Sequence, residues 1–75
     1  MDRVPYKGRE IQVTVISTSD DGLYVVERIG VWHRRGHAMG YIRLSPPSDC
    51  FPSRQLAEQS GLAFAQHWID RYIPS

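Results

Sequence analysis

The chain is 75 residues long, 41% hydrophobic, 11% aromatic and 23% charged. That is the size of one small domain and too apolar for a disordered tail. Nine Lys and Arg against eight Asp and Glu leave a net charge of +1, which disfavours a globally basic nucleic-acid binder or an acidic tail. A single cysteine, Cys50, excludes an internal disulfide framework. No apolar run reaches the ~18–20 residues of a membrane span, and Met1 to Pro5 lead into no signal-peptide core. The expectation is a single cytoplasmic α+β domain over residues 1–75, without membrane association.

In chain order, Met1 to Gly8 reads as an approach segment in which Pro5 and Gly8 disfavour regular structure, with Tyr6 tucked against the first strand. Residues 9–18 alternate: Ile11, Val13 and Val15 point one way and Gln12 and Thr14 the other, as in a half-buried strand. Ser19-Asp20-Asp21-Gly22 is the clearest turn, because Asp-Gly supplies the positive φ of a tight hairpin. A second strand follows over about 23–32. Its phase is ambiguous: Leu23, Val25, Ile29 and Val31 share one parity, Tyr24 and Val26 the other, and Glu27 interrupts, so that Gly30 could mark a bulge. A polar connection centred on Arg34-Arg35-Gly36 leads to a third strand over 38–44, and Ser45-Pro46-Pro47-Ser48-Asp49 reads as a loop.

The last element is a helix over 54–72 with Ser53 as N-cap. At about 100° per residue, Ala57, Gly61, Phe64, Ala65, Trp68 and Tyr72 fall in one sheet-facing arc. Gly61 costs about 1 kcal/mol against Ala in mid-helix, so close packing on the sheet is expected there. The expected architecture is a three-stranded antiparallel meander with one C-terminal helix on one face, β-β-β-α.

One helix covers one face of such a sheet, so the other face is the informative one. Gln12, Thr14, Ile16, Met39, Tyr41 and Arg43 fall there, joined either by Tyr24, Val26 and Arg28 or by Leu23 and Val25. Leu62, Ile69 and Ile73 form a second apolar stripe beside the core arc of the helix. Tyr24, Met39, Tyr41, Leu62, Ile69 and Ile73 are therefore the candidate protein interface, with a second copy or another protein as partner. The plainer alternative is that the Leu44–Phe51 loop or the N-terminal segment folds over the stripe.

Chemistry-bearing constellations are sparse. Trp32-His33-Arg34-Arg35-Gly36-His37, extended by Arg28, Arg43 and Arg54, could contact phosphates and stack on a base, which makes Trp32, Arg34, Arg35 and Arg54 candidate nucleic-acid contacts; the alternative is a solvated hairpin. His33, His37, Cys50 and His67 lack the spacing of a metal site, so no metal or other cofactor is expected. Cys50 has no histidine placed beside it by sequence, and Asp20-Asp21 is turn chemistry, so no catalytic residue is assigned.

Several short motifs carry resemblances. Tyr6-Lys7-Gly8, Ile11, Asp21-Gly22-Leu23-Tyr24, Phe51-Pro52-Ser53, Ala57, Gly61 and Ala65 through Trp68-Ile69-Asp70 resemble small uncharacterised bacterial proteins of β-β-β-α type. That resemblance implies the fold and no activity. Ser53-Arg54-Gln55-Leu56-Ala57 is similar to the second-helix start of double-stranded-RNA-binding domains, which implies RNA binding with Arg54 on a phosphate. Strands followed by a helix behind Phe51-Pro52-Ser53 also resemble HicB-type antitoxins, which implies a small toxin and sometimes DNA as partners. The leading expectation is a non-enzymatic interaction or self-association module, and the second a nucleic-acid-binding or regulatory module.

Overall fold

The computed structural model describes residues 3–18, 22–35, 38–46 and 48–72, with the backbone alone for Arg34 and Arg35. Asp20-Asp21, Gly36, His37, Pro47 and Ile73 of the sequence reading lie outside the described residues. The elements are β1 (Val4–Tyr6), β2 (Arg9–Ser17), β3 (Tyr24–Arg35), β4 (Ala38–Leu44), β5 (Cys50–Phe51) and α1 (Arg54–Tyr72). The class is α+β, with an antiparallel sheet ordered β1-β2-β3-β4 and β5 paired to β3. Three expected strands thus become four, with a short fifth.

Both additions have local causes. Lys7 and Gly8 adopt φ of 49° and 77°, the two positive values of a type I′ turn whose twist matches the flanking strands. Met1 to Gly8 is therefore more than an approach segment: Tyr6 pairs with Arg9 and Val4 with Ile11. Pro5 is tolerated because β1 is an edge, where its ring removes no ladder bond. The loop after β4 returns to the sheet at Cys50 and Phe51, which pair with Val25 and Tyr24.

The bulge in β3 lies at Glu27, not Gly30. Thr14 pairs with Arg28 but Val15 with Val26, so Glu27 is the extra residue. It brings Tyr24 and Val26 onto the same face as Ile29 and Val31, which resolves the two parities seen in the sequence. That face carries the core: Ile11, Val13, Val15, Val26, Ile29, Val31 and Leu44, closed by Ala57, Ala65 and Ile69 of α1.

Ser53 caps α1, its Oγ accepting from Leu56 N at 3.1 Å. The sheet-facing line of the helix is Ala57, Gly61, Ala65 and Ile69, every fourth residue. Phe64 and Tyr72 are instead exposed, and Trp68 flanks the core half-buried. Residue size decides this. A Cβ at Gly61 would sit 2.6 Å from Val13 Cγ1 and 3.4 Å from Val26 Cγ1, so the helix axis lies close to the sheet at Gly61 and its neighbours Ala57 and Ala65, and the larger Ile69 fits only a turn further on. Tyr6 Oη donates to both carboxylate oxygens of Asp70 at 2.9 and 2.8 Å, and Lys7 Nζ reaches Asp70 at 2.6 Å. These bonds pin the β1–β2 turn to the helix C-terminal end.

Candidate functional site

Because α1 covers one face, the opposite face of the sheet carries what remains. By strand alternation, Pro5 of β1, Glu10, Gln12, Thr14 and Ile16 of β2, Val25, Arg28, Gly30 and Trp32 of β3, and Met39, Tyr41 and Arg43 of β4 lie there. Its centre is a cross-strand aromatic pair. Trp32 and Tyr41 face each other with ring centroids 4.3 Å apart at 45°, an arrangement that both aromatic quadrupoles favour.

Two further contacts stiffen the pair. The Tyr41 ring lies over Gly30, where a Cβ would come within 2.7 Å of Cε2, so the glycine supplies the space in which the ring lies flat. The Arg3 guanidinium sits 4.1 Å from the Trp32 ring centroid, a cation–π contact on a half-exposed ring. Met39 is 50% and Tyr41 45% exposed, so a preformed aromatic and thioether surface faces outward. A groove of about 290 Å³ beside it is lined by Gly8, Glu10, Trp32, His33 and Met39. The Trp32 Nε1–H is buried and has no acceptor among the described residues, as have Arg9 Nε and His33 Nδ1 no partner.

Of the expected interface residues, Met39 and Tyr41 are on this surface. Tyr24 is not: the Glu27 bulge turns it to the helix side, where it packs against the core with the Arg54 guanidinium 5.4 Å from its ring centroid. Ile69 is fully buried in the core, and Leu62 is half-buried against it, so the expected apolar stripe beside the core arc is largely part of the core itself. Ile73 lies outside the described residues.

The candidate nucleic-acid contacts do not form one patch. Trp32 is on the open face, whereas Arg54 donates to Val15 O at 3.1 Å and stacks on Tyr24. Tyr24 and Trp32 are eight positions apart on β3, about 26 Å along a strand. Arg54 thus ties the helix start to β2 rather than standing free at the motif that resembles RNA-binding domains. The backbones of Arg34 and Arg35 continue β3 beyond Trp32.

The described residues weighed for catalytic or metal chemistry lie apart from one another. Cys50 is exposed on β5 opposite Val25, while His33 lies eight positions further along β3 with its imidazole over Gly40. His67 is exposed on α1. Among the described residues no three of His, Cys, Asp and Glu come together as metal ligands, and no helix is long and apolar enough to cross a membrane.

Arg3, Glu10 and Gly30 are site residues that sequence reading passed over. Gly30 carried a signal, being two residues from Trp32 and so on the same face, but its use as a seat for Tyr41 depends on register. No family model, curated protein or solved structure matches the chain.

Proposed function

We propose that this chain is a non-enzymatic protein–protein interaction module that associates with itself through the side of the sheet left open by α1. The observation that carries this reading is the outward Trp32–Tyr41–Met39 surface, with Tyr41 and Met39 exposed beside a half-buried Trp32 and the pair backed by Gly30 and Arg3. Large aromatic side chains already fixed in position lose little entropy on binding and are enriched where proteins meet. A cytoplasmic setting goes with this reading, since a reducing compartment keeps the exposed Cys50 thiol free.

Sedimentation equilibrium across protein concentration tests it, run at about 0.1 M and about 1 M salt. Association through apolar area survives the higher salt. A chain that stays monomeric at about 1 mM ends the proposal.

A second reading has one observation in its favour: Arg3, Arg28 and Arg43 share the open face with Trp32 and Tyr41. Single-stranded nucleic acid uses such a pairing of cations with stacking rings. Oligonucleotide binding that falls steeply between the two salts would favour this reading over self-association.

A further inference from the structure

The free edge of the sheet shows how two copies would join. The Lys7-Gly8 turn makes Tyr6 and Arg9 a pair that exchanges both backbone hydrogen bonds. Antiparallel ladders alternate, so the direction of every other backbone group follows from this pair. On β2, Arg9 and Ile11 turn toward β1, and Glu10, Gln12 and Thr14 toward β3. On β3, Trp32 and Gly30 turn toward β2, and Ile29, Val31 and His33 toward β4. On β4, Gly40, Ile42 and Leu44 turn inward to β3. The N–H and C=O groups of Met39, Tyr41 and Arg43 therefore point out of the sheet, and among the described residues β3 is the only element broadly packed on β4.

The opposite edge is different. In β1, Val4 and Tyr6 turn inward, so Pro5 holds the outward position, and proline has no N–H to give. The β4 edge offers alternating donors and acceptors, whereas β1 offers no donor at its outward position, and beyond β1 the outward Val15 carbonyl of β2 is taken by Arg54. A β4 edge consequently finds its complement in another β4 and not in β1, which favours a closed pair over an open-ended fibre.

We infer that two copies of this chain pair β4 against β4 in antiparallel register about a two-fold axis at Tyr41, forming one continuous sheet. This rests on the self-association reading but places the junction along the β4 edge that borders the open face at Met39 and Tyr41, rather than across the face itself. Centring on Tyr41 overlaps all of Ala38–Leu44, and any other two-fold register shortens the overlap. Three pairs of outward residues then exchange two hydrogen bonds each. Tyr41 meets Tyr41 of the second copy, and Met39 meets Arg43 of the second copy, so no like charges stand opposite. On the open face the Trp32–Tyr41 stack extends into a four-ring row across the junction.

Amide hydrogen exchange on the unmodified protein, at dilute and concentrated conditions with sedimentation in parallel, tests the arrangement. The expected result is a mass that plateaus at the dimer. With it, the Met39, Tyr41 and Arg43 amides slow at least about tenfold on concentration, while Gly40 and Ile42 stay protected throughout. Met39→Pro, which removes an outward N–H and no bond of the intramolecular ladder, should abolish the dimer and leave the monomer's circular dichroism unchanged. A dimer whose Met39, Tyr41 and Arg43 amides exchange freely would overturn the edge pairing and leave self-association standing. A monomer at all concentrations would overturn both, and growth beyond the dimer would overturn the closure at Pro5.

Discussion

Gly61 illustrates how a residue poor for its element is kept by its neighbour across the interface. Alanine would add about 1 kcal/mol of helix propensity. Its Cβ, however, would fall 2.6 Å from a Val13 methyl that is itself fully buried, and overpacking of that kind costs about 1–3 kcal/mol. Gly61→Ala is therefore expected to lower stability by about 1 kcal/mol, read from the urea midpoint, and Val13→Ala should cost less in that chain than in the parent. A Gly61→Ala variant more stable than the parent would show that the helix stands further from the sheet than described.

Asp70 is the other residue with a measurable consequence. Hydrogen bonds from Lys7 and Tyr6 hold its carboxyl below the usual carboxylate range, and the same contacts raise the Lys7 ammonium and the Tyr6 phenol. A depressed carboxylate stabilises above its unfolded value of about 4, and that contribution is lost as pH falls through the folded value. A raised lysine stabilises below its unfolded value of about 10.4 and loses that as pH rises through the folded one. A plateau between these limits follows. In urea titrations, Asp70→Asn should lie below the parent at neutral pH and converge with it in acid. Because the groups are nearly half exposed, the gap will be small.

At the scale of elements, α1 depends on its first turn. Ser53→Ala removes the oxygen that receives the Leu56 N–H and should cost about 1 kcal/mol, a fall of about 4–8 °C in Tm for a domain this size. Ser53→Asp should restore most of it. The β3 bulge is less forgiving. Deleting Glu27 would turn Tyr24 and Val26 toward the open face while Ile29 and Val31 stay in the core, or the reverse. The expected outcome is loss of cooperative unfolding, and a variant with native Tm would mean that the extra residue is absorbed elsewhere.

The bounds of α1 and β4, and β2 to within a residue, were legible because their signals are local: alternating β-branched residues, a serine cap, an apolar stripe. β1 was not, since Lys7 is an unusual residue for a positive φ and Pro5 reads as a breaker until it is known to lie at an edge. The parity of β3 was unreadable for a related reason. Glu27 marks the interruption, but which side of it belongs to the core depends on which β2 residues stand opposite.

For the whole molecule, the joining of copies is the question that the open face poses. Trp32→Ala should weaken any association by removing the ring against which Tyr41 is held, while Leu56→Ala, on the outer surface of α1, should leave it unchanged. Weakening by Leu56→Ala with none from Trp32→Ala in sedimentation would locate the contact on the helix. A free β4 edge beside a proline-blocked β1 edge is a property of the assembled sheet, and neither strand read alone contains it.

The order of residues by itself determined the class, the long helix with its cap, and the inward set Ile11, Val13 and Val15, since short-range periodicity follows from backbone geometry alone. Tertiary structure decided which helix residues touch the sheet, where Arg54 goes, and that Tyr24 is inside while Tyr41 is outside. Those outcomes depend on register and on the distance between layers, which are set by side chains far apart along the chain.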